Sequence, residues 1–222
     1  MNFGIYLARS ATYWPNKAAV IFQDQVLTYR ALEERSNRLA HALQGLGLKK
    51  GDRVAIVSPN RPDIVVAECA FYKLGLVKVA LNSRLSPQEL EDALTNAEPH
   101  ACLVGPAHRA VMQGLRARLP SLQHAIAWDC TEADRASGWL DGQVLEAQAP
   151  SQHLHVDLEP QDLAVLHYTS GSTGKLKAAM QTMGNRMTSL RKVIMGRMQS
   201  NGDDVMLLVG PITHASGMFI QA

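Results

Sequence analysis

Between residues 28 and 128 short apolar runs alternate with helical segments that carry their own start and stop signals, which narrows the fold more than any other feature of the sequence. Thr28 can cap a helix whose Leu32, Leu39, Leu43 and Leu46 keep a helical spacing, and Gly47 suits its end. Val54 to Val57 reads as a buried strand, and Pro62 opens a helix apolar on most sides through Ile64, Val65, Val66, Ala67, Ala70, Phe71 and Leu74. A helix of that kind must be covered by other structure. Val77 to Leu81 reads as a second strand, and Ser86-Pro87-Gln88-Glu89 joins an N-cap serine, an N1 proline and a glutamate at N3 into a capping box for a helix through Leu94. Ala101 to Val104 as strand, Ala107 to Leu119 as helix and Ala125 to Trp128 as strand continue the pattern. Strands separated by helices need crossover connections, so the expected class is α/β, a largely parallel sheet flanked by helices.

With 222 residues, 46% hydrophobic and 19% charged, the chain can bury a sizeable core. No apolar run reaches the roughly 18 to 20 residues that cross a bilayer, and Arg9, Trp14 and Pro15 interrupt the start where a signal peptide would stay apolar, so the expected compartment is the cytoplasm, with no transmembrane segment. Cys69, Cys102 and Cys130 are odd in number and widely spaced, which points to neither a disulfide framework nor a zinc site; Cys69 and Cys102 read as small core residues. Residues 129–162 hold eight acidic side chains against one basic, Arg135, together with Pro150 and Pro160, and are expected to form an exposed excursion or linker. His153 and His155 lie there without a third ligand nearby and read as solvent-exposed, so no metal site is assigned.

Asp162 to Tyr168 reads as a strand that runs into Thr169-Ser170-Gly171-Ser172-Thr173-Gly174-Lys175-Leu176-Lys177. Glycines let a backbone approach an anion with its N–H groups turned inward, and hydroxyls at 169, 170, 172 and 173 add donors that rotate toward phosphate oxygens. A lysine at the rim supplies formal charge. Only two residues separate Gly171 from Gly174, and Leu176 follows Lys175, so this is not a Walker A loop; Gly45-Leu46-Gly47 follows a helix and is no dinucleotide fingerprint. From Leu163 to Gly202 there are six basic residues and no acidic one, a stretch able to host a polyanion. Arg186 to Arg197 reads as a solvated helix face. Tyr168 is the one base-stacking aromatic in that stretch, which argues against a nucleic-acid partner.

Tyr168 to Lys177, YTSGSTGKLK, resembles the phosphate-binding signature of the adenylate-forming (AMP-binding) superfamily, which includes acyl-CoA synthetases, peptide-synthetase adenylation domains and luciferases. Leu27 to Leu32 is similar to that family's entry into its first long helix, Lys73 to Asn82 to one of its strand regions, and Pro211-Ile212-Thr213-His214-Ala215-Ser216-Gly217 to its P-x-x-H-x-x-G element. The run Asn82 to Pro87 is most like fatty-acyl and aryl CoA ligases. Leu176, Ala178 and Met183 depart from the family's usual Pro, Gly and His.

The resemblance implies that residues 1–222 are the N-terminal part of the large domain of an acyl-CoA synthetase-like fold, with the rest of that domain and a C-terminal lid domain lying beyond. It implies ATP, Mg2+ and coenzyme A as reactants or cofactors and a fatty or aryl carboxylic acid as the small-molecule partner, and it leaves a homo-oligomer open. Thr169, Ser170, Gly171, Ser172, Thr173 and Gly174 would hold the β- and γ-phosphates, with Lys177 as their charge partner and His214 at the mouth of the acyl site. The adenine, ribose and metal contacts would lie past Ala222, so the isolated chain is expected to make no acyl-CoA. Two other readings stay open: a carrier-protein-loading adenylation domain, and a non-catalytic nucleotide- or phosphate-binding module.

Overall fold

Residues 2–170, 176–192 and 201–213 are described by the computed structural model. Helix α1 (Gly4–Tyr13) and a hairpin of β1 (Ala18–Phe22) and β2 (Gln25–Thr28), neither assigned from the sequence, precede the alternating region. There follow α2 (Tyr29–Gly45), β3 (Arg53–Val57), α3 (Pro62–Leu74), β4 (Val77–Ala80), α4 (Pro87–Ala97), β5 (Ala101–Val104), α5 (Arg109–Leu115) and β6 (His124–Ala127). The chain goes on through α6 (Glu132–Ala136), β7 (Leu140–Asp141), α7 (Gly142–Gln148), β8 (Leu163–Ser170), β9 (Leu176–Thr182) and α8 (Met183–Leu190).

Strands β3 to β9 form one sheet in the order β7-β6-β5-β3-β4-β8-β9. All neighbours are parallel except β8 and β9, which pair antiparallel. The apolar runs are continuous because both sheet faces are covered. Val54 and Ile56 point into a core with Leu39, Leu43, Ile64 and Phe71 of α2 and α3, while Ala55 and Val57 point into a second core with Leu90, Leu94, Met112 and Leu115 of α4 and α5. The helix apolar on most sides is α3, buried as its composition requires.

The start signals act as read. Thr28 accepts a hydrogen bond from the Ala31 amide at 3.2 Å, and at α4 the Ser86 hydroxyl accepts from the Glu89 amide at 3.3 Å while the Glu89 carboxylate accepts from the Ser86 amide at 2.8 Å. Ser86→Ala is therefore expected to lower stability by about 1 kcal/mol, measured by urea unfolding. A change below a few tenths would show that water replaces the cap. The segment expected as a single helix over Ala107–Leu119 is broken: α5 is flanked by 3-10 turns at Pro106–His108 and Arg116–Arg118.

Residues 129–162 are largely exposed, yet they pack as part of the domain and not as a linker. They supply the edge strand β7 and the helix α7 against α2, and they bury Trp139 and Leu158. Their acidic excess is answered by basic residues from earlier in the chain. Glu146 meets Arg35 at 2.6 Å, Asp129 meets Arg61 at 2.7 Å and Asp162 meets Lys50 at 2.6 Å. A charge count over a single segment cannot register such partners. His153 and His155 are exposed, with His153 Nδ1 3.1 Å from Glu33, and the described residues hold no group of three or more potential metal ligands. Cys102 is fully buried and Cys69 mostly so, and burial pushes both thiols up to about 12, consistent with inert packing residues. No helix among the described residues is long and apolar enough to cross a membrane.

Candidate functional site

From β3 the chain adds β4 on one side and then β5 on the other, so the order reverses at β3, and β8 later lies beside β4. In open parallel sheets ligands gather at the carboxyl ends of strands next to such a reversal. Two of the sequence-predicted elements sit along that edge.

The first follows β8. Thr169 and Ser170 prolong the strand, their backbones pairing with Lys177 and Leu176 of β9. The span between the strands thus narrows to residues 171–175; Gly171, Ser172, Thr173 and Gly174 lie outside the described residues, as does His214. Lys177 is exposed on β9 at the register position opposite Thr169. Ala178, where the resembled signature has Gly, is paired with Tyr168 in extended backbone that any residue adopts. Met183, where that signature often has His, is fully buried against Ala80, Leu158, Ala164 and Val165, a setting for an apolar side chain. The Tyr168 hydroxyl donates to Asn96 of α4 at 2.7 Å, tying β8 to the helix layer, and burial raises this phenol to about 12, which keeps it a donor.

The second element follows β3. The Asn60 side chain accepts from the Ile212 amide at 2.8 Å and donates to the Gly210 carbonyl at 2.9 Å, doing for Gly210–Ile212 what a neighbouring strand would do. Ile212 and Thr213 are buried as a result. Gly210–Ile212 is thereby held beside the sheet's carboxyl edge. Asn60 gives no signal in the sequence, because a lone asparagine after a strand makes no pattern; its partners lie 150 and 152 residues away.

Under the β8–β9 hairpin is a buried polar cluster, also unforeseen. Glu68 of α3 meets Lys78 of β4 at 2.8 Å and Arg186 of α8 at 3.5 Å and accepts from the Tyr72 hydroxyl at 3.1 Å. Burial pushes the Glu68 carboxyl up, but Lys78 and Arg186 outweigh it and hold the group below its ordinary value. His167 of β8 stands 3.2 Å, ring Nε2 to Oε1, from Gln181 of β9; burial, aided by the nearby Lys78 and Arg186 and opposed by the Gln181 hydrogen bond, lowers its pKa and favours the uncharged imidazole. Arg186, expected on a solvated face, is 6% exposed. The stretch 163–202 lacks acids of its own, so a basic residue buried there takes its carboxylate from elsewhere, here Glu68, 118 positions earlier.

The sequence profile of the family described as AMP-binding enzyme matches residues 7–222. The chain belongs to that family. Among curated relatives it is 29% identical to a long-chain-fatty-acid–CoA ligase of Escherichia coli O157:H7 over 96% of the chain and 42% of the relative. It is 31% identical to a feruloyl-CoA synthase of Amycolatopsis over 98% of the chain and 40% of that relative. The fold is shared with acetoacetyl-CoA synthetase from Streptomyces lividans at a TM-score of 0.91 and 23% identity, over 100% of the chain and 36% of that structure. The chain thus spans about two fifths of the length of the AMP-binding relatives it matches, corresponding to an N-terminal portion of them.

Proposed function

We propose that this AMP-binding chain supplies the polyphosphate grip and the entrance to the acid site of an ATP-dependent acyl-CoA ligase. The supporting observation is that the glycine–hydroxyl segment follows a strand end on the sheet's carboxyl edge, with Lys177 exposed on the returning strand and no acidic residue from 163 to 202. In the proposed reaction a carboxylate oxygen attacks the α-phosphorus of ATP and pyrophosphate leaves. The coenzyme A thiol, losing its proton, then attacks the acyl carbonyl and AMP departs. Chemistry of this kind depends mainly on positioning and charge stabilisation. Thr169 to Gly174 would donate backbone and hydroxyl hydrogens to the β- and γ-phosphates, and Lys177 would balance their charge. Family membership brings ATP and coenzyme A; the names of the relatives point to a fatty or aryl acid. The described residues hold no group of three or more potential metal ligands, and no step is assigned to the Mg2+ implied by the resemblance.

The test is acid-dependent ATP–pyrophosphate exchange by the full-length protein that carries this chain, over a panel of fatty and aryl acids. Exchange with at least one of them is expected, and silence across the panel while ATP still binds would leave a non-catalytic nucleotide-binding module. His214→Ala is expected to raise the KM for the acid and leave that for ATP nearly unchanged. Asn60→Ala, which releases the segment leading to His214, should do the same more weakly, by about two- to tenfold for a lost hydrogen bond. Equal effects on acid and ATP would remove His214 from the acid side of the site.

A further inference from the structure

The hairpin that carries the proposed phosphate grip extends past the neighbouring strand: β4 pairs with β8 as far as His167, and among the described residues Tyr168, Thr169 and Ser170 pair with β9 alone. Among the described residues strand β9 lies at the end of the sheet order and pairs only with β8, and the register shifts at Leu163/Val165, the end remote from Ser170 and Leu176. Two-stranded ribbons twist more freely than strands inside a sheet. Gln181 and Leu176 are five residues apart on β9, about 17 Å of strand, so a small change of twist at Gln181 becomes a displacement at the tip.

One side-chain bond crosses the hairpin near that base. Neutral His167 donates through Nε2–H to Gln181 Oε1, joining β8 to β9 on the face turned toward α3 and α8. Next to it, Glu68 collects Lys78 from β4, Tyr72 from its own helix and Arg186 from α8, the helix that β9 leads into. Arg186 Nε also donates to the Tyr72 hydroxyl at 3.1 Å. The cluster therefore fixes both arms of the hairpin to the body of the domain: β8 through the neighbouring strand β4, and β9 through α8. A merely stabilising core could have filled this space with apolar side chains, as the neighbouring cluster around Met183 does.

We infer that His167 and Gln181 are positioning residues for nucleotide binding, setting the twist of β8 against β9 from the anchor formed by Glu68, Lys78 and Arg186. They touch no substrate and act by placing Ser170, Leu176 and Lys177. The inference rests on the proposed ATP chemistry.

The experiment compares the full-length wild type with Gln181→Met, which keeps the volume but removes the acceptor, Gln181→Glu, which restores an accepting oxygen, and Ile64→Val, a core change elsewhere, in pyrophosphate exchange and thermal unfolding. Gln181→Met is expected to raise the KM for ATP about two- to tenfold, the scale of one neutral hydrogen bond, with the KM for the acid unchanged. Gln181→Glu should recover most of the loss, and Ile64→Val should lower Tm without moving the KM for ATP. An unchanged KM for ATP in Gln181→Met overturns the inference. So does a rise in the KM for ATP matched by an equal rise for the acid, because the role would then be structural only. A wild type that exchanges no pyrophosphate instead defeats the ATP reading and the inference with it.

Discussion

Replacing Glu68 with Ala is expected to destabilise the fold by about 3–5 kcal/mol, the scale for breaking a buried ion pair by removing one partner. Glu68 is 5% exposed, and its carboxylate faces Lys78, itself 1% exposed, as well as Arg186 and the Tyr72 hydroxyl. Deleting it leaves two cations in a low-dielectric interior without their shared anion. Lys78 can escape by losing its proton, whereas an arginine cannot. The double variant Glu68→Met/Lys78→Met should recover part of the loss, because apolar side chains of similar volume often replace a buried pair at little cost, but not all of it, since Arg186 still loses Glu68.

The pH dependence of the same group has a definite sign. Its folded pKa lies below the ordinary carboxylate value. The stability it contributes is thus present above the unfolded pKa and lost as pH falls through the lower folded one. Urea unfolding from pH 7 to pH 3 should therefore show a flatter acid limb in Glu68→Ala than in the wild type. A single-variant loss below about 1 kcal/mol would mean that water reaches the cluster and that its charges are already screened.

What the sequence revealed and what it hid divide by the range of the interaction responsible. Thr28, Pro62, Ser86 and Gly47 act within a few residues: three start helices, and Gly47 follows the end of α2 at φ 90°. All are read from adjacent letters. Val54 to Val57 and Ala101 to Val104 were recognisable because a strand buried on both faces needs no alternation. In segment 129–162 Glu146, Asp129 and Asp162 meet Arg35, Arg61 and Lys50, a relation that local composition does not contain. The burial of Arg186 against Glu68 is hidden for the same reason.

The role proposed for the glycine–hydroxyl motif comes from local letters, since it depends on what neighbouring backbone and hydroxyl groups can offer an anion. The roles proposed for Asn60, His167 and Gln181 do not. Each depends on a partner brought near by the sheet order, and β9 as an antiparallel edge strand could not be anticipated from a pattern that otherwise announces parallel pairing.

Lys177 carries the other large expectation. In the full-length protein Lys177→Ala should lower kcat/KM for ATP by about 10- to 150-fold, the equivalent of roughly 1.5–3 kcal/mol for a charged hydrogen bond. The side chain is exposed and forms no ion pair among the described residues, so its removal should leave thermal stability unaltered and the effect can be assigned to the nucleotide. Lys177→Arg keeps the charge but offers a planar fork in place of a compact ammonium, and should recover only part of the loss. An exposed charge acting on phosphates is screened by salt, so the gap between wild type and Lys177→Ala should shrink as ionic strength rises. A gap that ignores salt would indicate a lysine enclosed with its phosphate when ATP binds, and identical kinetics at every salt concentration would place Lys177 outside the site.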